Sequence, residues 1–438
     1  MKLGVYFRES WHNLRSDKLY TLVYIIAVAF SLAMVMTYLT VVAMRTQNSY
    51  PETHRDRMLS IPLIYLELGT TSSMEQSVSK DFIAQFLSEP LPGVEAWTAV
   101  KTEEFKVYNS AGEPLKMVVE FIDSSFTDIF PLEVLYGGPI TADGALRNVP
   151  DVLRAGSAAA ALLGRKDVVG ESIFFNNKEY RICGVVRDVP QTATYAFAQI
   201  WVPDTEPTLM DVQLREWALA NNNNVMVGPY EIELLAGSRR DFSAISSEMQ
   251  DRIDRYNQSG VSSWKLSLAY GMPTVRERIF MYDSAAAYTW IGVGVVLLVL
   301  LVPVFNLSGM TGSGMEARMA EFGVRKSFGA WRGAIVRQIV GENLLLTLIG
   351  GAVGLLLSYL LLYLLQDELY DLLPLNSMVE FGFFEFIPAP AFTFRSFFKV
   401  SLYLLLLALV LVVNLLSALV PASKVIRRPI TESLNSQR

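Results

Sequence analysis

Apolar residues follow two distinct patterns along this chain. Four stretches are apolar on every side and carry no charge, while a long region between the first two mixes apolar and polar positions at strand and helix spacing. The first charge-free run is Leu19 to Met44, flanked by Lys18 and Arg45. A second lies between Asp283 and Glu316, centred on Trp290 to Phe305. A third follows Glu342, from Asn343 to Gln366, and a fourth lies between Lys399 and Lys424. At a rise of about 1.5 Å per residue, each reaches across a hydrocarbon layer about 30 Å thick. The pattern predicts transmembrane helices over 19–44, 285–306, 339–365 and 399–421. The first run also follows a basic start, as a secretory signal does, but it exceeds the usual apolar region of about 7 to 15 residues. No small-x-small cleavage pattern follows it cleanly.

Helical spacing of Leu3, Tyr6 or Phe7, Trp11 and Leu14, with charges on the other faces, predicts an amphipathic interfacial helix over 1–18 with Trp11 as its anchor. The external segment, 45–284, reads as an α+β domain. Helices are expected over Ser79–Ser88, Ser124–Phe130, Asp151–Leu163 and Phe242–Tyr256. Strands are expected over Val94–Val100, Phe105–Tyr108, Lys116–Ile122, Asp167–Val169, Ser172–Phe175, Glu179–Val186, Val225–Leu235 and Leu266–Leu268. Four consecutive asparagines, Asn221 to Asn224, mark an exposed turn or hinge, and two lobes split near 190–225 are expected.

Charge then fixes an orientation. Only 18% of the 438 residues are charged, against roughly a quarter in a soluble chain, which excludes an ordinary soluble enzyme. Continuous apolar runs also exclude an outer-membrane barrel, whose strands are short and alternating. Basic residues crowd the first 18 positions, the 307–338 connection and the tail after 421, whereas the 366–398 connection is acidic. The positive-inside rule puts both termini and 307–338 in the cytoplasm, and 45–284 and 366–398 outside. The external segment carries a net charge of −10 and the remainder +4. Such a domain has no electrostatic reason to bind nucleic acid. Cys183 is the only cysteine, so no internal disulfide braces it.

Catalytic chemistry is sparse. His12 and His54 have no second candidate ligand nearby in sequence, and Cys183 lies in an apolar run. The chain contains no G-x-S-x-G elbow and no Gly-x-x-x-x-Gly-Lys phosphate loop. Catalytic, metal and directly bound cofactor sites are therefore expected to be none. Gly350 and Gly354 form a small-x-x-x-small face, with Gly351 beside it, suited to close helix packing against another span or a second copy.

The most specific segment lies between the second and third spans: Glu321-Phe322-Gly323-Val324-Arg325-Lys326-Ser327-Phe328-Gly329-Ala330. It resembles the Glu-Ile-Gly-Ile-Arg-Lys-x-x-Gly-Ala motif of MacB/FtsX/LolC-type ABC transporter permeases. Glu321, Gly323, Arg325, Lys326, Gly329 and Ala330 match directly, while Phe322 and Val324 replace one apolar residue with another. The resemblance extends to Gly170 and the run Tyr180 to Pro190 (YRICGVVRDVP) in the external domain. It also takes in the tail, through Pro421, Ala422, Pro429 and Leu434. There Val425 replaces an alanine, and the final leucine falls one residue late.

The resemblance implies an α-helical four-span membrane domain with a large α+β extracytoplasmic domain of MacB-like periplasmic type. It further implies a permease without a fused ATPase, working as a homodimer or paired with a homologous permease. A separate ABC ATPase subunit would supply ATP and Mg. Glu321 to Ala330 would form the coupling contact, with Arg325 and Lys326 touching the ATPase and Phe322, Val324 and Phe328 as apolar anchors. A periplasmic adaptor, an outer-membrane channel and membrane lipid are further partners the resemblance allows, with an inner-membrane location. The expected function is relaying ATP-driven movement to the external domains for efflux or for lipid or lipoprotein handling. The rival is a non-transporting regulator or scaffold that signals to a periplasmic partner such as a cell-wall hydrolase.

Overall fold

The computed structural model describes residues 18–69, 72–108, 114–190, 193, 195–220, 225–279, 292–294, 296–298, 324, 327, 332–365 and 400–427. The interfacial helix predicted around Trp11 lies outside them. The chain divides into two units, residues 44–285 with 370–393 and the rest.

In the external unit the strands are β1 (Met58–Ile61), β2 (Ile64–Leu68), β3 (Ser72–Gln76), β4 (Val94–Tyr108), β5 (Pro114–Ile122), β6 (Val134–Gly137), β7 (Asp151–Ala155), β8 (Ser172–Phe175), β9 (Lys178–Val186), β10 (Ile200–Pro203), β11 (Glu231–Ala236) and β12 (Lys265–Leu268). The large sheet runs β1-β11-β4-β5-β10-β7-β9-β6, with β8 added to β9, and a small one runs β12-β2-β3. Most neighbours are antiparallel; β5–β10 and β7–β9 are parallel. Helices in chain order are α1 (Lys18–Thr46), α2 (Lys80–Phe86), α3 (Phe126–Ile129), α4 (Ala142–Ala145), α5 (Gly156–Leu163), α6 (Leu209–Ala220), α7 (Phe242–Gln258), α8 (Val275–Ile279), α9 (Arg332–Leu364) and α10 (Val400–Arg427).

The 15-residue β4 is the shared element. Its first half pairs with β11 and its second with β5. One core gathers on the β5–β10–β7–β9 half, around Phe121, Val152, Ile182 and Trp201. The other lies under α2 and α7, around Phe82, Phe86, Ile232, Ile245 and Met249. The second core draws on residues before Val100 and after Asn224, so the chain enters and leaves through it.

The structure revises several sequence assignments. The predicted helix Asp151–Leu163 begins only at Gly156, because Asp151–Ala155 is a buried strand between β9 and β10. A strand buried on both faces loses the alternation that would identify it, and the charges of Asp151 and Arg154 imitate a helical polar face. The two predicted strands before and after Val100 are one. Residues 58–76, left unassigned by the sequence reading, hold three strands, and 167–169 holds none. Elsewhere the helix expected over Ser79–Ser88 and the hairpin expected around 172–186 are present. Ser79 caps α2, accepting from the Phe82 amide at 3.1 Å. Asn176 and Asn177, both at positive φ, close the β8–β9 hairpin.

In the membrane unit, α1, α9 and α10 bury Tyr24, Val28, Leu32, Met36, Leu346, Leu406 and Val410 against one another. Their outward faces are equally apolar: Leu22, Ile26, Phe30 and Met34 on α1, and Leu356 and Leu360 on α9, are exposed. Helices apolar all round suit a lipid surround. Among the described residues, 21–44 and 336–364 are long and apolar enough to cross a membrane, and 400–412 is a shorter apolar helix. Apart from helical pieces at 292–294 and 296–298, the predicted second span lies outside the described residues.

Candidate functional site

The sequence-predicted site residues fall in three places. Of the coupling segment, Glu321, Phe322, Gly323, Arg325, Lys326, Phe328, Gly329 and Ala330 lie outside the described residues. Val324 is helical and exposed, and its carbonyl accepts from the Ser327 hydroxyl at 2.7 Å.

The three glycines of α9 sit against helices of the same chain. A Cβ on Gly350 would stand 2.9 Å from Val28 Cγ1. On Gly354 it would stand 2.8 Å from the Ala29 carbonyl and 3.1 Å from Leu32 Cβ. Both face α1. Gly351 faces α10 instead, where a Cβ would lie 2.7 Å from Leu407 Cδ1. Missing side chains thus let α9 approach two neighbours. A polar contact accompanies the seam: Tyr24 Oη and Thr347 Oγ1 are 3.2 Å apart, and the threonine also donates to the Asn343 carbonyl at 2.8 Å.

The motif run in the external domain has a structural role. Asp188 accepts from the Ser157 amide at 2.8 Å, capping the start of α5. At Gly184 a Cβ would collide with the Gly138 carbonyl. Cys183 points at the Val152 carbonyl, 3.4 Å away, and burial pushes its thiol up to about 11, so it is not an activated nucleophile. Among the described residues, no group of three or more metal-ligating side chains converges.

A site that sequence reasoning missed lies where the chain leaves α1 and where it approaches the predicted second span. Arg55 and Glu52 form a buried ion pair, and the Arg55 guanidinium also donates to the Met44 carbonyl at 2.6 Å and the Gln47 carbonyl at 2.9 Å. These carbonyls belong to the end of α1, whose terminal acceptors need such partners. Glu52 accepts in turn from the Tyr195 amide at 2.7 Å. Above the Tyr195 ring, 4.6 Å from its centroid, lies the guanidinium of Arg278 from α8. Arg278 bonds Glu233 at 2.7 Å and pairs with Glu231, both on β11. Burial acts to lower Arg278, but Glu231 and Glu233 outweigh it and hold the guanidinium above its ordinary value. The backbones are also joined: Leu59 bridges Thr274, and the Ser60 amide donates to the Pro273 carbonyl at 3.0 Å. Both connecting segments are therefore fastened to one edge of the sheet. Isolated charges in a β-rich region look like solvated strand faces, so only contacts across 45 to 143 residues of sequence expose the site.

Four carboxyls, Glu52, Glu120, Glu231 and Glu233, share this neighbourhood with two guanidiniums. Burial pushes Glu120 and Glu233 well above the usual carboxylate range; the other carboxylates push the same way, and Arg278 opposes the shift at Glu233. Glu120 has no cation bonded to it among the described residues.

Two outcomes follow. Gly354→Leu should destabilise the membrane unit by about 1–3 kcal/mol, as overpacking does. A lowered melting temperature in detergent would show this, with Gly294→Leu as the control because no atom of the described residues lies within 4 Å of a Cβ there. Glu120 is buried without a bonded cation among the described residues and raised above the carboxylate range, so the folded state holds there a proton that the unfolded chain releases above about pH 4.3, and stability should fall over the range of pH above that value. Urea titrations across that range should show a shallower fall in Glu120→Gln.

Similarity to known proteins agrees with this architecture. A family model described as the MacB-like periplasmic core domain matches residues 21–252, and one described as the FtsX-like permease C-terminal matches 293–430. The chain is 23% identical over 272 residues to the uncharacterized ABC transporter permease YknZ of Bacillus subtilis, covering 61% of this chain and 63% of that protein. It is 23% identical over 252 residues to the macrolide export ATP-binding/permease protein MacB of Mannheimia succiniciproducens, covering 55% of this chain and 34% of that one. The periplasmic region of MacB from Actinobacillus actinomycetemcomitans superposes with a TM-score of 0.32 at 15% identity, over 48% of this chain and 88% of that structure. With both halves matched by their models, this chain belongs to the family of membrane permeases that join a MacB-like periplasmic core domain to an FtsX-like C-terminal region.

Proposed function

We propose that this chain is the permease subunit of an ABC-type transporter and relays movement from a separate ATPase to its external domain. The observation that carries the reading is the pairing of Arg55 with Glu52 and of Arg278 with Glu231 and Glu233, joined through Tyr195. A displacement of either connecting segment reaches the same sheet edge through charge-assisted bonds, which are short and directional. The apolar character of α1, α9 and α10 supports a mechanical role over a polar transport lane, since lanes for ions or protons place ionisable groups mid-membrane.

In this reading the chain has four spans in an inner membrane, both termini in the cytoplasm and 45–284 in the periplasm. Two permease copies pair, each with one ATPase, whose groove receives Glu321 to Ala330. Arg325 and Lys326 supply charge there, and Phe322, Val324 and Phe328 supply apolar contact. ATP and Mg bind the partner. The cargo is a periplasmic substrate or a lipid-bearing protein, and an adaptor and an outer-membrane channel complete the path where the system exports.

Affinity capture of the detergent-solubilised chain from native membranes, read by mass spectrometry, tests the reading. An ABC ATPase should be recovered with the wild type, and its yield should fall about ten-fold or more with Arg325→Glu, through charge reversal at a buried contact. Recovery of a cell-wall hydrolase in place of transport components would turn the reading toward regulation. Absence of any ATPase, with no effect of Arg325→Glu, would overturn it.

A further inference from the structure

Helix α6 is held to the external domain in an unusual way. Of its twelve residues only Ala218 is buried, while Leu209, Val212, Trp217 and Leu219 are exposed. Polar contacts fix it instead. Asp211 pairs with Lys101, which is wholly buried on β4 and also lies 3.4 Å from Asp204. Thr208 Oγ1 donates to Glu103 at 2.5 Å, and Arg215 bonds Asp81 at 2.8 Å. Burial acts to raise Asp211, but the hydrogen bond from Lys101 and the bonds from Thr208 hold it below its ordinary value, so the latch is ionic at neutral pH.

Such an attachment leaves the underside of α6 unfilled. Between α6 and the segments 79–81 and 225–230 lies a cleft of about 540 Å³. Its walls are chiefly apolar, including Val212, Leu219, Val225, Val227 and Tyr230. That volume falls within the range of about 300–1,000 Å³ typical of small-molecule sites, which combine apolar walls with a few polar groups. The charges on the lining are almost all spent. Lys80 pairs with Asp204 at 2.7 Å, Asp81 with Arg215, and Asp211 with Lys101. Glu216 is the one lining charge without an ion pair among the described residues. It leaves the cleft with one uncompensated negative charge, inside a domain whose net charge is −10.

We propose that this cleft is a binding site for organic cations with a compact apolar body. The body takes the place of water against Val212, Leu219, Val225 and Val227, and the positive charge sits near Glu216. An anion of the same shape would meet that carboxylate and the field of the domain, and a neutral one would leave the charge uncompensated. The inference goes beyond the relay described above and does not depend on it, because occupancy needs no ATPase.

Equilibrium dialysis of tetraphenylphosphonium against the full chain in zwitterionic lipid nanodiscs, with empty nanodiscs subtracted and no ATPase present, tests it. One saturable site per chain is expected. Leu219→Arg and Val212→Arg, both at exposed positions, should abolish it while circular dichroism stays unchanged. Glu216→Gln should weaken it by up to about five-fold, as expected for a partly solvated charge pair. Neutral triphenylphosphine oxide should bind more weakly than the cation. No saturable binding above empty discs, or binding indifferent to both arginine variants, overturns the site. Equal binding of the neutral compound, or no response to Glu216→Gln, overturns the assignment to cations.

Discussion

Two buried guanidiniums fasten the segments that enter and leave the external domain to its sheet. Arg55 and Arg278 lie on the segments adjoining α1 and the predicted second span, and neither can lose its carboxylate partners cheaply. Removing one member of a buried pair commonly costs about 3–5 kcal/mol, because the other charge is left without water or partner. The connecting segments are therefore bound to the sheet by interactions that resist separation but add little net stability over an apolar replacement. Tyr195 makes the two pairs one assembly, through its amide to Glu52 and its ring beneath Arg278. That distribution of energy favours rigidity at the junction over additional stability.

The rest of the domain carries this junction outward. Arg278 grips β11, β11 pairs with the first half of β4, and the second half of β4 pairs with β5. A long strand shared by two cores moves both when its edge moves, because packed interiors transmit strain and do not absorb it. In the membrane unit, the glycines of α9 let backbones come close, so α1, α9 and α10 pack around a chiefly apolar core.

Much of this architecture was legible from sequence because the relevant signals are local. The apolar runs, the helical stretch from Ser79 and the strand pair around 172–186 each rest on patterns within a few residues. The motif around Tyr180 to Pro190 was legible as a pattern but not as a role: Asp188 caps α5, and Gly184 admits the Gly138 carbonyl. Strand β7 was misread because burial on both faces removes the period-2 signal while its charges fall at helical spacing. The junction was invisible for a different reason. Glu52 and Tyr195 are 143 positions apart, and no property of either residue announces the other. The α6 cleft was equally hidden, since it depends on Lys101 being buried 110 positions from Asp211 on the helix it anchors.

The central claim is that the two connecting segments move as one body with the sheet edge. Electron spin resonance can measure it as the distance between labels at Thr53 and Arg276, placed in a Cys183→Ala background of the full chain with its ATPase. The account predicts one narrow distance distribution, unchanged between nucleotide-free and ATP-trapped states, that broadens when Arg278→Met removes the clamp. A wild-type distance that shifts with nucleotide, or a distribution that Arg278→Met leaves narrow, would contradict it.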